Sequence, residues 1–304
     1  MPEPVISVRG LRKSYGELEA VRGIELEVWR GEIFAFLGPN GAGKTTTVEI
    51  LEGYRKRSAG EASVLGTDPA DAGGEWRQRI GIVLQDSNLQ PELTVQESLE
   101  LYAGYYDNPR SAEETMRLVG LDARAHNRAG RLSGGQRRRL DMGLALVGDP
   151  ELLFLDEPTT GFDPSARRQA WEVIGNLRDL GKTVFLTTHY MDEAQALADR
   201  VAIIASGEIV AEGAPRELRG REEASVRISF RLPPGVAPRE LPPEVGEALE
   251  RGGGNGEVLL RARRPVELLN RLTSWALERN LDLVGLEVRR PSLEDVYLDL
   301  TEDQ

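Results

Sequence analysis

The 304-residue sequence predicts an α/β protein with a mostly parallel core sheet up to about residue 220, followed by a small α+β domain. Three observations carry that expectation. Short apolar runs alternate with helix-like stretches. A glycine-rich turn joins one such run directly to a helix. Proline and glycine then become dense just beyond residue 220.

The chain opens with strand-like residues 5–9 and 24–28 around a turn at Tyr15 and Gly16, which predicts an antiparallel start. Residues 33–37 are apolar throughout, as a strand covered on both faces must be. They run into GPNGAGKT and then the helix-like TTTVEILEG. IGIVLQ, ELLFLD, TVFLTT and RVAIIA repeat the buried-strand pattern, and residues from Thr94 to Val147 are mainly helical, which places a helical subdomain at about 86–147. Near Gly220 the charged GREEAS gives way to RISFRLPPGVAPRELPP and then GGGNG, a composition that predicts linkers and turns. Beyond it EVLLRARR and LVGLEVRR predict strands. PVELLNRLTSWALERNL predicts an amphipathic helix with Val266, Leu269, Leu272, Trp275, Ala276 and Leu281 on its apolar face, and SLEDVYLDL a last helix. The expected domains are 1–220 and 221–304.

With 40% hydrophobic residues the chain can bury a sizeable core. Its 38 basic and 50 acidic residues leave a net charge of −12, which disfavours affinity won by neutralising nucleic-acid phosphates or anionic lipids. The absence of cysteine excludes disulfides, thiolate metal sites and thiol catalysis. No segment approaches a signal peptide's apolar stretch or a membrane span, so if the function concerns a membrane another chain is expected to cross it.

The residues at 38–45 fit the phosphate-loop pattern of glycines followed by Lys and Thr, in its strand-to-helix context. Glycines let backbone N–H groups turn inward, the helix N-terminus adds partial positive charge, Lys44 supplies a point charge and the Thr45 hydroxyl suits Mg2+. Because only Lys13, Lys44, Lys56 and Lys182 are lysines, each is informative. A second signal is ELLFLDEP, where a buried-type strand delivers Asp156 and Glu157 to the C-terminal edge of the sheet. Alone, such a pair more often starts a turn or helix. Beside a phosphate loop, Asp156 suits a metal and Glu157 an attacking water, their directions separated by strand alternation. His189 ends another apolar run at the same edge, where a neutral imidazole could hydrogen-bond a γ-phosphate, although a solitary strand-end His is more often just a polar residue. His126 is given no role. Finally, LSGGQRRRLDMGLALV sets a second glycine-rich turn at a helix start, either a plain cap or another anion site. Two such starts with one lysine-bearing loop suggest nucleotides shared head-to-tail between two chains.

With these motifs in this order the chain resembles the ABC ATPases over essentially all of residues 1–220. GPNGAGKTT is similar to the Walker A loop, Gln85 in GIVLQD to the Q-loop, LSGGQ to the signature, LLFLDEP to the Walker B strand, TTGFD to the D-loop and TTHY to the switch histidine. The resemblance implies a P-loop NTPase fold with an antiparallel β subdomain and a helical subdomain, using ATP and Mg2+. It implies phosphate contacts from Gly38, Pro39, Asn40, Gly41, Ala42, Gly43, Lys44, Thr45 and Thr46, and adenine stacking by Tyr15. Thr45, Gln85 and Asp156 would hold the metal, and Lys44, Gln85, Glu157 and His189 would carry catalysis. Ser133, Gly134, Gly135 and Gln136 would meet the opposite subunit's nucleotide, with Asp163 bridging the interface. Phe162 stands where the family more often has Leu.

PSLEDVYLDLTED also resembles the ending of drug-resistance and daunorubicin-type exporter ATPases. The cassette resemblance implies a homodimer, or a heterodimer with a second cassette, closing on ATP at the cytoplasmic face of the membrane, and the C-terminal resemblance implies export. It would drive a separate permease that exports drugs, antibiotics or other amphipathic compounds. In this family the helical insert docks a coupling helix of the permease, and Leu93, Val95, Leu99, Leu101, Tyr105 and Tyr106 could pack against it or against the core. No nucleic-acid partner is expected. The competing class, a soluble ABC ATPase acting on a protein or nucleic-acid assembly, would lead one to look for a second cassette or long heptads, and neither is present.

Overall fold

The computed structural model describes residues 3–84, 89–220, 226–252 and 256–289. It divides into two compact units, with the break between Pro215 and Arg216.

The first unit opens on a hairpin, β1 (Ile6–Tyr15) and β2 (Leu18–Val28), then β3 (Ile33–Leu37), helix α1 (Lys44–Leu51), β4 (Ala59–Val64), α2 (Gly74–Gln78) and β5 (Ile80–Val83). A helical layer follows, α3 (Val95–Ala103), α4 (Ala112–Leu118) and α5 (Gly134–Leu146). The chain then returns to the sheet through β6 (Leu152–Asp156), α6 (Pro164–Asp179), β7 (Thr183–Thr188), α7 (Met191–Leu197), β8 (Arg200–Ala205) and β9 (Glu208–Gly213). The main sheet has the order β5-β6-β7-β3-β8-β9, parallel except for the β8–β9 edge. A separate antiparallel sheet is ordered β2-β1-β4.

Period-2 alternation assigns the side chains of the central strands to two cores. Phe34, Phe36, Phe154 and Phe185 face the antiparallel sheet and α1. Phe185 sits among the other three rings, with centroids 5.6 to 5.7 Å away. Ile33, Leu153, Leu155, Val184 and Leu186 face the other way, into a core shared with α3, α5 and α6. Each such fully buried side chain contributes roughly 1.5–3 kcal/mol over leaving it exposed.

Each helix of the helical layer starts on a hydroxyl cap: Thr94 and Glu97 form a capping box on α3, Ser111 caps α4, and Ser133 with Gln136 form a second box on α5. Val95 and Leu99, two candidates for packing against a partner, are fully buried in the second core, which removes them from any surface. Leu93 and Tyr106 are half-buried, while Leu101 and Tyr105 are exposed. Strands β4 and β9 were not expected. Both are edge strands that turn one face to solvent, so AGEASV and EIVAEG lack an apolar run.

The second unit contains α8 (Pro215–Gly220, from its second residue), β10 (Val226–Arg231), α9 (Pro243–Glu247), β11 (Leu249–Gly252), β12 (Glu257–Ala262), α10 (Pro265–Glu278) and β13 (Val284–Arg289). Its antiparallel sheet runs β11-β12-β10-β13 and shares a core of Ile228, Phe230, Val258 and Leu260 with Leu272, Trp275 and Ala276 of α10. The run expected to be linker therefore holds a central strand. Ile228 and Phe230 point inward between polar neighbours, and the prolines fall after the strand or at the first turn of α9, where a missing N–H is harmless. Val266, expected on the apolar face of α10, is 79% exposed, because at about 100° per residue it falls outside the arc of Leu268, Leu269, Leu272, Trp275 and Ala276 that packs on the sheet. The last expected helix lies outside the described residues.

Candidate nucleotide site

Strand β3 ends at Leu37 and the loop to α1 bends through Gly41 (φ +83°) and Gly43 (φ +104°), conformations that side chains rarely adopt. Gly38 and Gly43 also have no room for a Cβ, which would lie 2.4 Å from the Ile204 carbonyl and 2.5 Å from the Ala20 carbonyl. The backbone is thus pressed into a tight cradle at the start of α1. Lys44 is buried there, and its Nζ donates to the carbonyls of Gly38 (2.7 Å) and Pro39 (3.1 Å). Burial lowers its pKa, while the carboxylates of Glu157 and Asp156 pull it back up. Thr45 is exposed beside it and Thr46 half-buried; Ala42 is buried, and Pro39, Asn40 and Gly41 are exposed.

The carboxylates arrive on β6. Asp156 closes the strand and its Oδ1 accepts a hydrogen bond from the Thr187 hydroxyl of β7. Glu157 leaves the strand in a left-handed conformation, φ 44°, so a turn rather than strand alternation separates the two acids. The Glu157 N–H donates to both the carbonyl and the hydroxyl oxygen of Thr187, at 3.1 Å each. Its carboxylate lies 3.2 Å from His189 Nδ1 and accepts from the Thr160 hydroxyl at 3.1 Å. His189 in turn packs on Tyr190, centroids 4.1 Å apart, whose ring carries the Arg167 guanidinium at 4.2 Å. Lys44, Asp156, Glu157 and His189 therefore form one cluster at the C-terminal edge of the parallel strands, where ligands of such sheets bind.

Three positioning residues escaped the sequence reading. Arg138 of α5 donates to the carbonyls of Asp156 (2.7 Å), Pro158 (3.1 Å) and Leu84, tying the carboxylate turn to β5. Thr187 orients both acids, as above. Glu193 of α7 is fully buried and accepts from the Thr159 hydroxyl (2.7 Å) and the Trp171 indole N–H (3.0 Å). Burial raises its pKa, opposed by hydrogen bonds from Thr188, Thr159 and Trp171. The triple arginine was the one visible hint.

Ser133, Gly134, Gly135 and Gln136 share only Glu157 with that cluster. They line a cavity of about 730 Å3 together with Glu157, Gly161 and Asp163, and no residue of the 38–46 loop lines it. Within the chain the Ser133 hydroxyl accepts from the Gln136 N–H (3.3 Å), the cap that sequence left open, while Gly134 is exposed at the helix start. Asp163 caps α6, accepting from the N–H groups of Ser165 (2.8 Å) and Ala166 (2.9 Å). Tyr15 ends β1, 40% exposed, with Lys13 and Arg55 cations 5.1 and 5.3 Å from its ring centre. Gln85 lies outside the described residues.

Three comparisons with known proteins bear on this geometry. Over 98% of this chain and 94% of the relative, the sequence is 39% identical to the Nod factor export ATP-binding protein I of Ralstonia nicotianae. The chain belongs to the ATP-binding proteins of ABC transporters. The protein of the same description from Rhizobium etli is also 39% identical, over 97% and 93%. The ABC transporter family pattern matches residues 21–160 of the cassette, and the pattern described as ABC transporter domain-containing protein-like, C-terminal domain, matches residues 226–292. Among solved structures, cbiO1 from Clostridium perfringens, part of the ABC transporter complex cbiONQ, superposes with a TM-score of 0.65 at 28% identity over 73% of this chain and 92% of its own. A dimeric post-hydrolysis state of the cassette MJ0796 bound to ADP and Pi gives 0.61 at 28%, over 69% and 98%. The cassette is an ATP-binding ABC ATPase.

Proposed function

We propose that this cassette closes with a second copy, or with a related cassette, around shared ATP and so drives a separate membrane-spanning exporter of amphipathic compounds. One observation carries the reading: the lysine-bearing loop and the serine–glycine turn are both anion-receptive helix starts, yet they line different places in one chain. A second chain turned head-to-tail completes both.

In that arrangement the loop amides and Lys44 hold the β- and γ-phosphates, with Tyr15 against the base. Ser133 and Gly135 reach the partner's γ-phosphate, and Asp163 stands beside the junction. The exposed Thr45 hydroxyl and the Asp156 carboxylate are hard oxygen donors of the kind Mg2+ takes, sparse enough to leave places for phosphate oxygens and water. The ion, when bound, offsets charge on the transferring phosphoryl group. Glu157, steadied by His189 and Thr160, polarises the attacking water, and His189 contacts the γ-phosphate. Closing and reopening the pair moves the permease.

Export is supported by the relatives, which are described as export proteins. No described helix is long and apolar enough to cross a membrane. In this reading the cassette works on the cytoplasmic face, held there by its permease. The test is fractionation: expressed with a multi-span protein from a neighbouring reading frame, the chain is expected to co-sediment with membranes, and to stay in the supernatant without it. A chain that stays in the supernatant even with that protein present would point to a soluble ATPase instead.

A further inference from the structure

Glu52 follows α1 directly, and its N–H donates to the Val48 carbonyl at 2.8 Å. It is only 6% exposed, and its Oε1 meets no hydrogen-bond partner among the described residues. Its helix neighbour Glu49 is already committed to Arg55 at 2.5 Å. Buried polar groups are almost always paired, so the unpaired Oε1 marks a place where something is still to bind.

What surrounds Glu52 narrows the occupant. It lines a cavity of about 310 Å3 between the end of α1, β5, α5 and the residues closing α3, room for one long side chain. The rings of Tyr54, Tyr102 and Tyr106 form part of the wall, and aromatic faces attract cations. Asp141 also lines it, and Arg77, the basic residue among its described lining, is exposed at the rim. At the mouth Tyr54 is 68% and Leu84 47% exposed, and Tyr105, 72% exposed, meets Tyr102 edge-on at 6.0 Å. Apolar and aromatic residues around an acidic floor, with Arg77 at the edge, fit a polypeptide segment that presents one basic side chain, rather than a free ion.

We infer that this cavity receives an arginine or lysine side chain from the membrane-spanning partner, with Glu52 as its acceptor. The inference rests on the reading that such a partner docks on the cassette. Burial, with Asp156 and Glu49 adding to it, pushes the Glu52 carboxyl up to about 8. In the free cassette the group is thus largely neutral at pH 7, and an entering cation favours its charged form.

The experiment uses the full chain with n-butylguanidinium as the arginine side-chain mimic and n-butylurea as its neutral counterpart, followed by NMR of labelled tyrosine rings at pH 8. Butylguanidinium is expected to shift the rings saturably and to bind at least tenfold more tightly than butylurea. Glu52→Gln should bring the two probes together while ATP hydrolysis persists. Equal binding of both probes by the unaltered chain, or no saturable shift, overturns the inference even if the variant does not fold. Failure of membrane co-sedimentation in the fractionation test would remove the partner reading separately, so the two outcomes are distinguishable.

Discussion

In the proposed mechanism hydrolysis turns on Glu157, which is fixed from three sides by Thr187, Thr160 and His189. Glu157→Gln keeps the shape and the Thr160 contact but cannot accept a proton, so ATP should still bind while turnover falls by about 100-fold or more in a phosphate-release assay. Lys44→Ala removes a side chain that contacts two loop carbonyls and no core neighbour by hydrogen bond. A lost charge-assisted contact corresponds to about 10- to 100-fold in MgATP affinity, read by calorimetry, with an unchanged circular dichroism spectrum. Glu52 gives a pH signature. Its carboxyl titrates at about 8 in the folded chain against an ordinary value of 4.5, so between these values the folded state holds a proton that the unfolded chain releases. Stability from this group is therefore full below pH 4.5 and lost as pH rises through about 8, each pH unit crossed in that window costing at most about 1.4 kcal/mol. Glu52→Gln should flatten the fall of Tm between pH 5 and 8. At this scale the sequence disclosed Lys44, Asp156 and Glu157, whose neighbours along the chain are also their neighbours in space. Arg138, Thr187 and Glu193 were hidden, because what they do depends on residues 18 to 54 positions away.

Strand β5 meets the last turn of α5 so closely that a Cβ on Gly81 would lie 2.4 Å from the Ala145 carbonyl. Gly81→Ala must push sheet and helix apart, and should cost roughly 1–3 kcal/mol in urea unfolding, with a lower midpoint at unchanged slope. The elements that sequence disclosed share a cause. Strands β3, β6 and β7 are buried on both faces and show as continuous apolar runs, and α3 and α5 open on capping boxes. The elements it concealed share one as well. Edge strands β4 and β9 need apolar residues on one face only, and β10 is a short alternating strand crowded by prolines that lie outside it. Composition averaged over that stretch says linker, whereas the alternation of Ile228 and Phe230 says strand.

At the scale of the whole molecule the question is why one chain carries two anion-receptive turns that do not line one cavity. The answer proposed is a pair of cassettes sharing each ATP, and the chain offers a clean way to test it because it has no cysteine of its own. Asn40→Cys in the loop and Ser133→Cys in the turn would be placed in separate Glu157→Gln chains, mixed, and treated with a short thiol crosslinker. The account predicts a crosslinked dimer from the mixture that forms with ATP and is absent without it. A mixture that stays monomeric at saturating ATP, or crosslinks equally well without nucleotide, would contradict it.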